Sequence, residues 1–360
     1  MADAMWQRFL RAFAITAAAV LALSLAAILL VDPLGVSPIA VVAPKSGYAL
    51  KDRRFLAQQV IRGGQFDSFL VGSSTIHSVD PHWAEEAFGG AFANLTIHGV
   101  TPHELTRVLD MIGRSTPRLG TVVLGLDAES WCAATAPARY HPKAVFPELL
   151  YDGDRFDDFA ALLNLKVLDA SLKQLAVDLK IEAPRTEADG YRNELDEAKW
   201  KRFKPGRDTC QLACDEAVAS TNGGGGGTRS GKSGQDHFPA LRLLEQSLSS
   251  LPADTKLIVV LMPPYASKLP DTAGQRADLG LCKRRIAALA SDKRGYAIDF
   301  DIASPWTLNA ENYWDASHFR TAIAKAFILR IKEAMERRRD AEDGVYRYLA
   351  GPSPSATTSR

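Results

Sequence analysis

Residues 12–31 contain only Ala, Val, Leu, Ile, Phe, Thr and Ser, a run of 20 without a charge. At about 1.5 Å per residue, a helix of that length covers the ~30 Å hydrocarbon core of a bilayer. Arg8 and Arg11 precede the run, and by the positive-inside rule they hold the short N-terminus in the cytoplasm. A cleaved signal peptide has a shorter apolar region followed by a small-x-small site, whereas this run ends in LLVDPLG, so an uncleaved anchor is expected. No other stretch is long and apolar enough to bring the chain back. Everything from Asp32 onward is therefore expected outside the cytoplasm. Residues 1–40 are read as anchor and linker, and the globular domain is expected to emerge after a short extended segment around Pro33 to Pro44.

The remainder has a globular composition. The 360 residues are 46% hydrophobic and 24% charged, which excludes disorder, collagen and a polytopic membrane protein. Lys and Arg total 43 against 42 Asp and Glu, so the basic excess of a dedicated nucleic-acid binder is missing and no nucleic-acid partner is expected. Four cysteines are too few for a disulfide-built scaffold. Outside the cytoplasm Cys210 can pair with Cys214 and Cys132 with Cys282, and both pairings stay open.

Five short apolar runs alternate with helix-like stretches: 66–71 (FDSFLV), 91–95, 121–126 (TVVLGL), 256–262 (KLIVVLM) and 297–300 (AIDF). Continuous rather than alternating apolar runs mark strands buried on both faces. Asp80-Pro81 and Thr101-Pro102-His103-Glu104 are helix starts, the second a capping box. The alternation predicts an α/β domain over 41–340: a parallel five-stranded, flavodoxin-like sheet with helices on both faces. An insertion at about 152–236 breaks the pattern and ends in the low-complexity spacer TNGGGGGTRSGKSGQ. Residues 341–360 read as a disordered tail. Residues 226–233 match the phosphate-loop pattern G-x-x-x-x-G-K-[ST], but no buried strand feeds the loop and a proline follows it, so no nucleotide is expected.

In open α/β sheets ligands bind beyond the carboxyl ends of the strands. Gly72-Ser73-Ser74 follows the first strand and Asn94 to Gly99 the second. Asp127 follows the third, Pro263-Pro264-Tyr265 the fourth, and Tyr313-Trp314-Asp315-Ala316-Ser317-His318 the fifth. A serine and an Asp-x-x-His pair converging on one rim are the parts acyl transfer needs, since the hydroxyl requires a base and the base an orienting carboxylate. His77, His98 and His103 have no diagnostic metal spacing, and no metal or cofactor is expected. Trp131, Tyr265, Tyr313 and Trp314 suit either a carbohydrate platform or core packing.

With Gly72-Ser73-Ser74 as a first block, Asn94 to Gly99 as a second and Asp315-Ala316-Ser317-His318 as a last, the sequence resembles the SGNH/GDSL hydrolase superfamily. Within it, the chain is similar to a membrane-anchored bacterial branch that includes alginate O-acetylation proteins and the D-alanyl transfer protein of teichoic acid synthesis. The resemblance covers roughly residues 65–332 without the insertion. It implies Ser74 as nucleophile, His318 as base and Asp315 as its partner, with Ser74, Gly99 and Asn94 at the oxyanion. Ser73, His77, Asp127, Tyr265 and Trp314 become candidate lining. Two departures stand out: Ser73 replaces the family's Asp before the nucleophile, and Asp127 stands nearest the family's third-block Asn. The resemblance implies a single-pass protein of the bacterial inner membrane with its domain in the periplasm. Its function would be that of a serine esterase or O-acyltransferase on envelope or exported polysaccharide, beside polysaccharide synthesis partners. The competing expectation is a non-catalytic envelope protein that binds glycan or scaffolds a synthesis complex.

Overall fold

The computed structural model describes residues 2–37, 39–40, 47–50, 52–154, 157–162, 165–192, 203 and 237–352. Helix α1 (Ala2–Val31) is long and apolar enough to cross a membrane, with a mean hydropathy of 2.6 over its best window. Its last turns are not a free stalk. Ile28 and Leu34 belong to the core of the following domain, and Gln58 donates to the Leu34 carbonyl at 2.5 Å. The expected extended segment from Pro33 is thus corrected at its start. Gly35 (φ +69°) and the Asp32 carboxylate, which accepts from the Ser37 N–H at 2.6 Å, turn the chain back at once. Residues 41–46 lie outside the described ones.

The sheet forms where the apolar runs predicted it. Strands β1 (Ser68–Val71), β2 (Phe92–Asn94), β3 (Thr121–Leu126), β4 (Lys256–Leu261) and β5 (Tyr296–Asp299) pair in parallel in the order 2-1-3-4-5. A sixth strand, β6 (Arg347–Ala350), adds antiparallel to β5. This corrects both the five-strand count and the tail, whose described residues 341–352 include β6 and the buried Val345 and Tyr346. Arg347-Tyr348-Leu349-Ala350 is an edge strand with half-exposed side chains, so it carries no continuous apolar signal.

Two apolar layers cover the sheet. One packs Leu56 and Val60 of α2 (Arg53–Gly63), Leu105 and Leu109 of α4 (Pro102–Ser115), Leu241 of α9 (Pro239–Ser250) and Ile286 of α10 (Ala273–Asp292) against β1, β3 and β4. The other packs Ala84 of α3 (Pro81–Phe88) and Phe327 and Ile331 of α11 (Thr321–Arg337). Asp80 caps α3, and Thr101 and Glu104 form the capping box of α4. Short helices α5 (Ala128–Trp131), α6 (Glu148–Tyr151) and α7 (Asp158–Leu162) lead into α8 (Leu165–Asp178), which packs beside α1. Cys132 is bonded to Cys282, with Cα atoms 5.6 Å apart. Cys210, Cys214, the glycine-rich spacer and the phosphate-loop lookalike lie outside the described residues.

Candidate active site

β1 ends in Gly72, and the chain turns sharply there because no side chain stands in the way. A Cβ on Gly72 would come within 2.7 Å of the Ile76 methyl and 2.9 Å of the Gly125 carbonyl. A single 3-10 turn over Ser74–Ile76 follows, capped by Ser73, whose hydroxyl accepts from the Thr75 N–H at 3.2 Å. Ser74 is thereby held half-buried at the carboxyl edge of the sheet.

His318 arrives from the loop between β5 and α11. That loop is fastened by a bridge between Tyr313 and Phe319 and by the Trp314 N–H donating to the His318 carbonyl at 2.8 Å. The Tyr313 hydroxyl donates to the Pro263 and Pro264 carbonyls, tying the loop to the end of β4. The Asp315 carboxylate serves two purposes. One oxygen accepts from the N–H groups of Ser317 and His318 at 2.7 and 3.0 Å. The other lies 2.7 Å from His318 Nδ1. Burial alone would raise the Asp315 carboxyl, but the hydrogen bond and charge of His318 and the two backbone donors hold it below the ordinary carboxylate value. On the far side of the ring, His318 Nε2 is 2.7 Å from Ser74 Oγ. Three residues spread over 244 positions thus form one Ser–His–Asp chain, with Nδ1 facing the carboxylate and Nε2 the hydroxyl.

The remaining sequence candidates divide. Asp127, at the end of β3, approaches the back of the serine turn. Burial raises its carboxyl, opposed by hydrogen bonds with Ser73 and Thr75 and by the nearby His318. Asn94 is not an oxyanion donor, which corrects its expected role. Its amide nitrogen donates to the carbonyls of His77 and Val79 at 3.2 and 3.0 Å, and its oxygen accepts from Arg53, the Thr96 N–H and the Thr96 hydroxyl. A side chain so fully engaged staples β2 to the segment after Ser74 and has nothing left for a ligand. Gly99 (φ +58°) sits in a turn closed by Val100 N–H to Ile97 O, so its own N–H is not spent on the turn. The buried Arg54, paired with Glu104 at 2.9 Å, donates to the His98 and Gly99 carbonyls and fixes that turn.

His77 is buried, with Nδ1 3.2 Å from the Thr96 hydroxyl and its ring 4.6 Å from that of His98. Burial, then Arg53, His98 and His318, push it well below the ordinary histidine value, so it stays neutral. Tyr265 and Trp314 are half-buried, and the Tyr265 N–H donates to the Ala316 carbonyl of the histidine loop. Trp131 and Tyr313 are core residues instead, so the four-ring platform reduces to two rings. His103 pairs with Glu148 on α6 at 3.7 Å. Among the described residues, Asp80, His82 and Asp189 bring ligand atoms within 4.8 Å of one another. Asp80 already caps α3 and accepts from His82 Nδ1.

Sequence reasoning missed the supports: Thr75, Thr96 and the buried Arg53, which donates to Asn94 and Thr96. It also missed a charged cluster under β5. There the Lys283 ammonium donates to both Asp299 oxygens at 3.0 and 2.9 Å and to the Asp301 carbonyl. Burial pushes the Asp301 carboxyl up to about 7, against the pull of Lys283. Thr75 stands next to the predicted nucleophile and was within reach of the sequence; a lone arginine or lysine in a helix pattern reads as solvated. Compared with known protein families and with curated proteins, the chain matches none.

Proposed function

We propose that the chain is a serine ester hydrolase or O-acyltransferase of SGNH/GDSL type, acting on acyl esters of envelope or exported polysaccharide. The observation that carries this reading is the continuous contact from Ser74 Oγ through His318 to Asp315, at 2.7 Å on each side of the ring. In the proposed reaction, Nε2 takes the hydroxyl proton as Ser74 Oγ attacks the ester carbonyl carbon. The N–H groups of Ser74 and Gly99 meet the oxyanion, and the sugar alcohol leaves with the proton from His318. The acyl-enzyme then passes its acyl group to water in an esterase, or to a second sugar hydroxyl in a transferase. The strand order supports a flavodoxin-like fold, whose ligands bind at this rim. The Cys132–Cys282 bond suits an oxidising compartment. Together with α1, it supports a single-pass protein of the bacterial inner membrane with its domain in the periplasm, near polysaccharide synthesis partners.

The non-catalytic reading drew its support from Asp127, a carboxylate where the family has an amide. Its hydrogen bonds with Ser73 and Thr75 give Asp127 partners other than the acyl oxygen, which favours the catalytic reading. A fluorophosphonate probe should label Ser74, and p-nitrophenyl acetate should be hydrolysed. Ser74→Ala should abolish labelling and lower turnover on the order of 10⁴-fold or more, with His318→Ala nearly as damaging. Labelling that survives Ser74→Ala, or a wild-type protein inert to both reagents, overturns the reading and leaves glycan binding or scaffolding in its place.

A further inference from the structure

Helix α8 carries three faces. Val167, Ser171, Gln174 and Val177 are buried against the domain. Lys166 and Lys173 lie one heptad apart on a second face, Lys173 paired to Asp169 at 2.5 Å, and Lys180 (φ +60°) follows in the turn that closes the helix. A third stripe is apolar and open: Leu165 (82% exposed) and Leu172 (54%) on the helix, continued by Leu179 (61%) in the turn that closes it, its N–H still bonded to the Leu175 carbonyl. A soluble domain has no reason to present a leucine seam of this length to water.

The place of this seam gives it an occupant. If 12–31 fills the bilayer core, the eight residues from Ser24 to Val31 are the outermost ~12 Å of apolar helix. Ile28 and Val31 within that stretch are buried by the domain rather than by lipid. The domain therefore sits at the depth of the outer leaflet, with α8 beside α1. An apolar groove of about 620 Å³ runs between the two helices, lined by Phe13, Val20, Leu21, Leu25, Leu165 and Leu168. The open leucines of α8 thus continue the apolar surface of the span, while the lysines of its polar face are placed for lipid headgroups.

We propose that α8 and the turn that closes it lie in the lipid–water interface of the outer leaflet of the bilayer α1 spans, with Leu165, Leu172 and Leu179 among the acyl chains. The proposal rests on reading α1 as a membrane span. It makes the domain a body seated on the membrane rather than one swinging on a tether, which fixes the height of the Ser74 rim above the lipid.

The test uses the full chain with Cys210→Ser and Cys214→Ser, reconstituted in phosphatidylcholine/phosphatidylglycerol (3:1) vesicles. Single nitroxide labels are placed through Leu21→Cys, Leu172→Cys, Leu179→Cys and Lys166→Cys, all at side chains already exposed. Oxygen should relax labels 21, 172 and 179 more strongly than a water-soluble nickel chelate does, with the order reversed at 166. A lipid-exposed label at 21 with chelate-accessible labels at 172 and 179 overturns the docking and leaves the span intact. Labels 172 and 179 shielded from both reagents also overturn it, because protein would then cover the seam. An aqueous label at 21 overturns the span and the docking with it.

Discussion

A carboxylate facing the developing oxyanion would oppose catalysis, so the surroundings of Asp127 decide what it does. Its partners, Ser73 and Thr75, flank Ser74 on both sides, and a hydrogen bond to each ties the turn that carries Ser74 to the end of β3. Asp127→Ala should therefore lower kcat on the order of 10²-fold with little change in KM, the cost of a displaced nucleophile. Asp127→Asn, which retains one acceptor oxygen, should recover part of that loss. Equal loss in both variants would mean that the charge, rather than the acceptor geometry, matters. The serine and the Asp-x-x-His pair were legible because each sits at a strand end and needs only its neighbours in sequence. Asn94 was misread for the opposite reason. Its role depends on Arg53, His77 and Val79, partners that no local pattern announces.

At the level of elements, the buried strands were legible because Thr121–Leu126 and Lys256–Leu261 are apolar on both faces. β6 was not, because an edge strand shares its residues between core and water. The turn after β1 is the element on which the site depends most, and it is assembled on a close approach of two backbones. Gly72→Ala would force its methyl against Ile76 and the Gly125 carbonyl. The second of these is sheet backbone and cannot swing away. A loss of about 1–3 kcal/mol is expected from overpacking, read as a lowered urea midpoint. Fluorophosphonate labelling of Ser74 should slow as the turn shifts. Unchanged midpoint and labelling would show that the strand end yields more easily than its packing implies.

For the whole molecule, the cluster of Lys283, Asp299 and Asp301 sets a pH dependence. Two carboxylates share one ammonium in a buried place, and Asp301 titrates at about 7. In the unfolded chain it titrates near pH 4. Between those values the folded chain holds one proton more, so the contribution of this residue to stability falls as pH rises from about 4 to 7. Asp301→Asn should flatten the decline in thermal midpoint between pH 5 and 7. An identical slope in wild type and variant would place the proton elsewhere.

The bond between Cys132 and Cys282 closes a loop over 150 positions, and the whole of the insertion lies inside it. Ser74 precedes the loop, whereas Asp315 and His318 follow it. A protease that cuts any peptide bond between 133 and 281 therefore separates Ser74 from Asp315 and His318 in sequence, yet leaves them on one covalent molecule. The nicked protein should migrate as a single band without reductant and as two with it. The proposed ester hydrolysis should survive the cut and be lost only when the halves are released from each other.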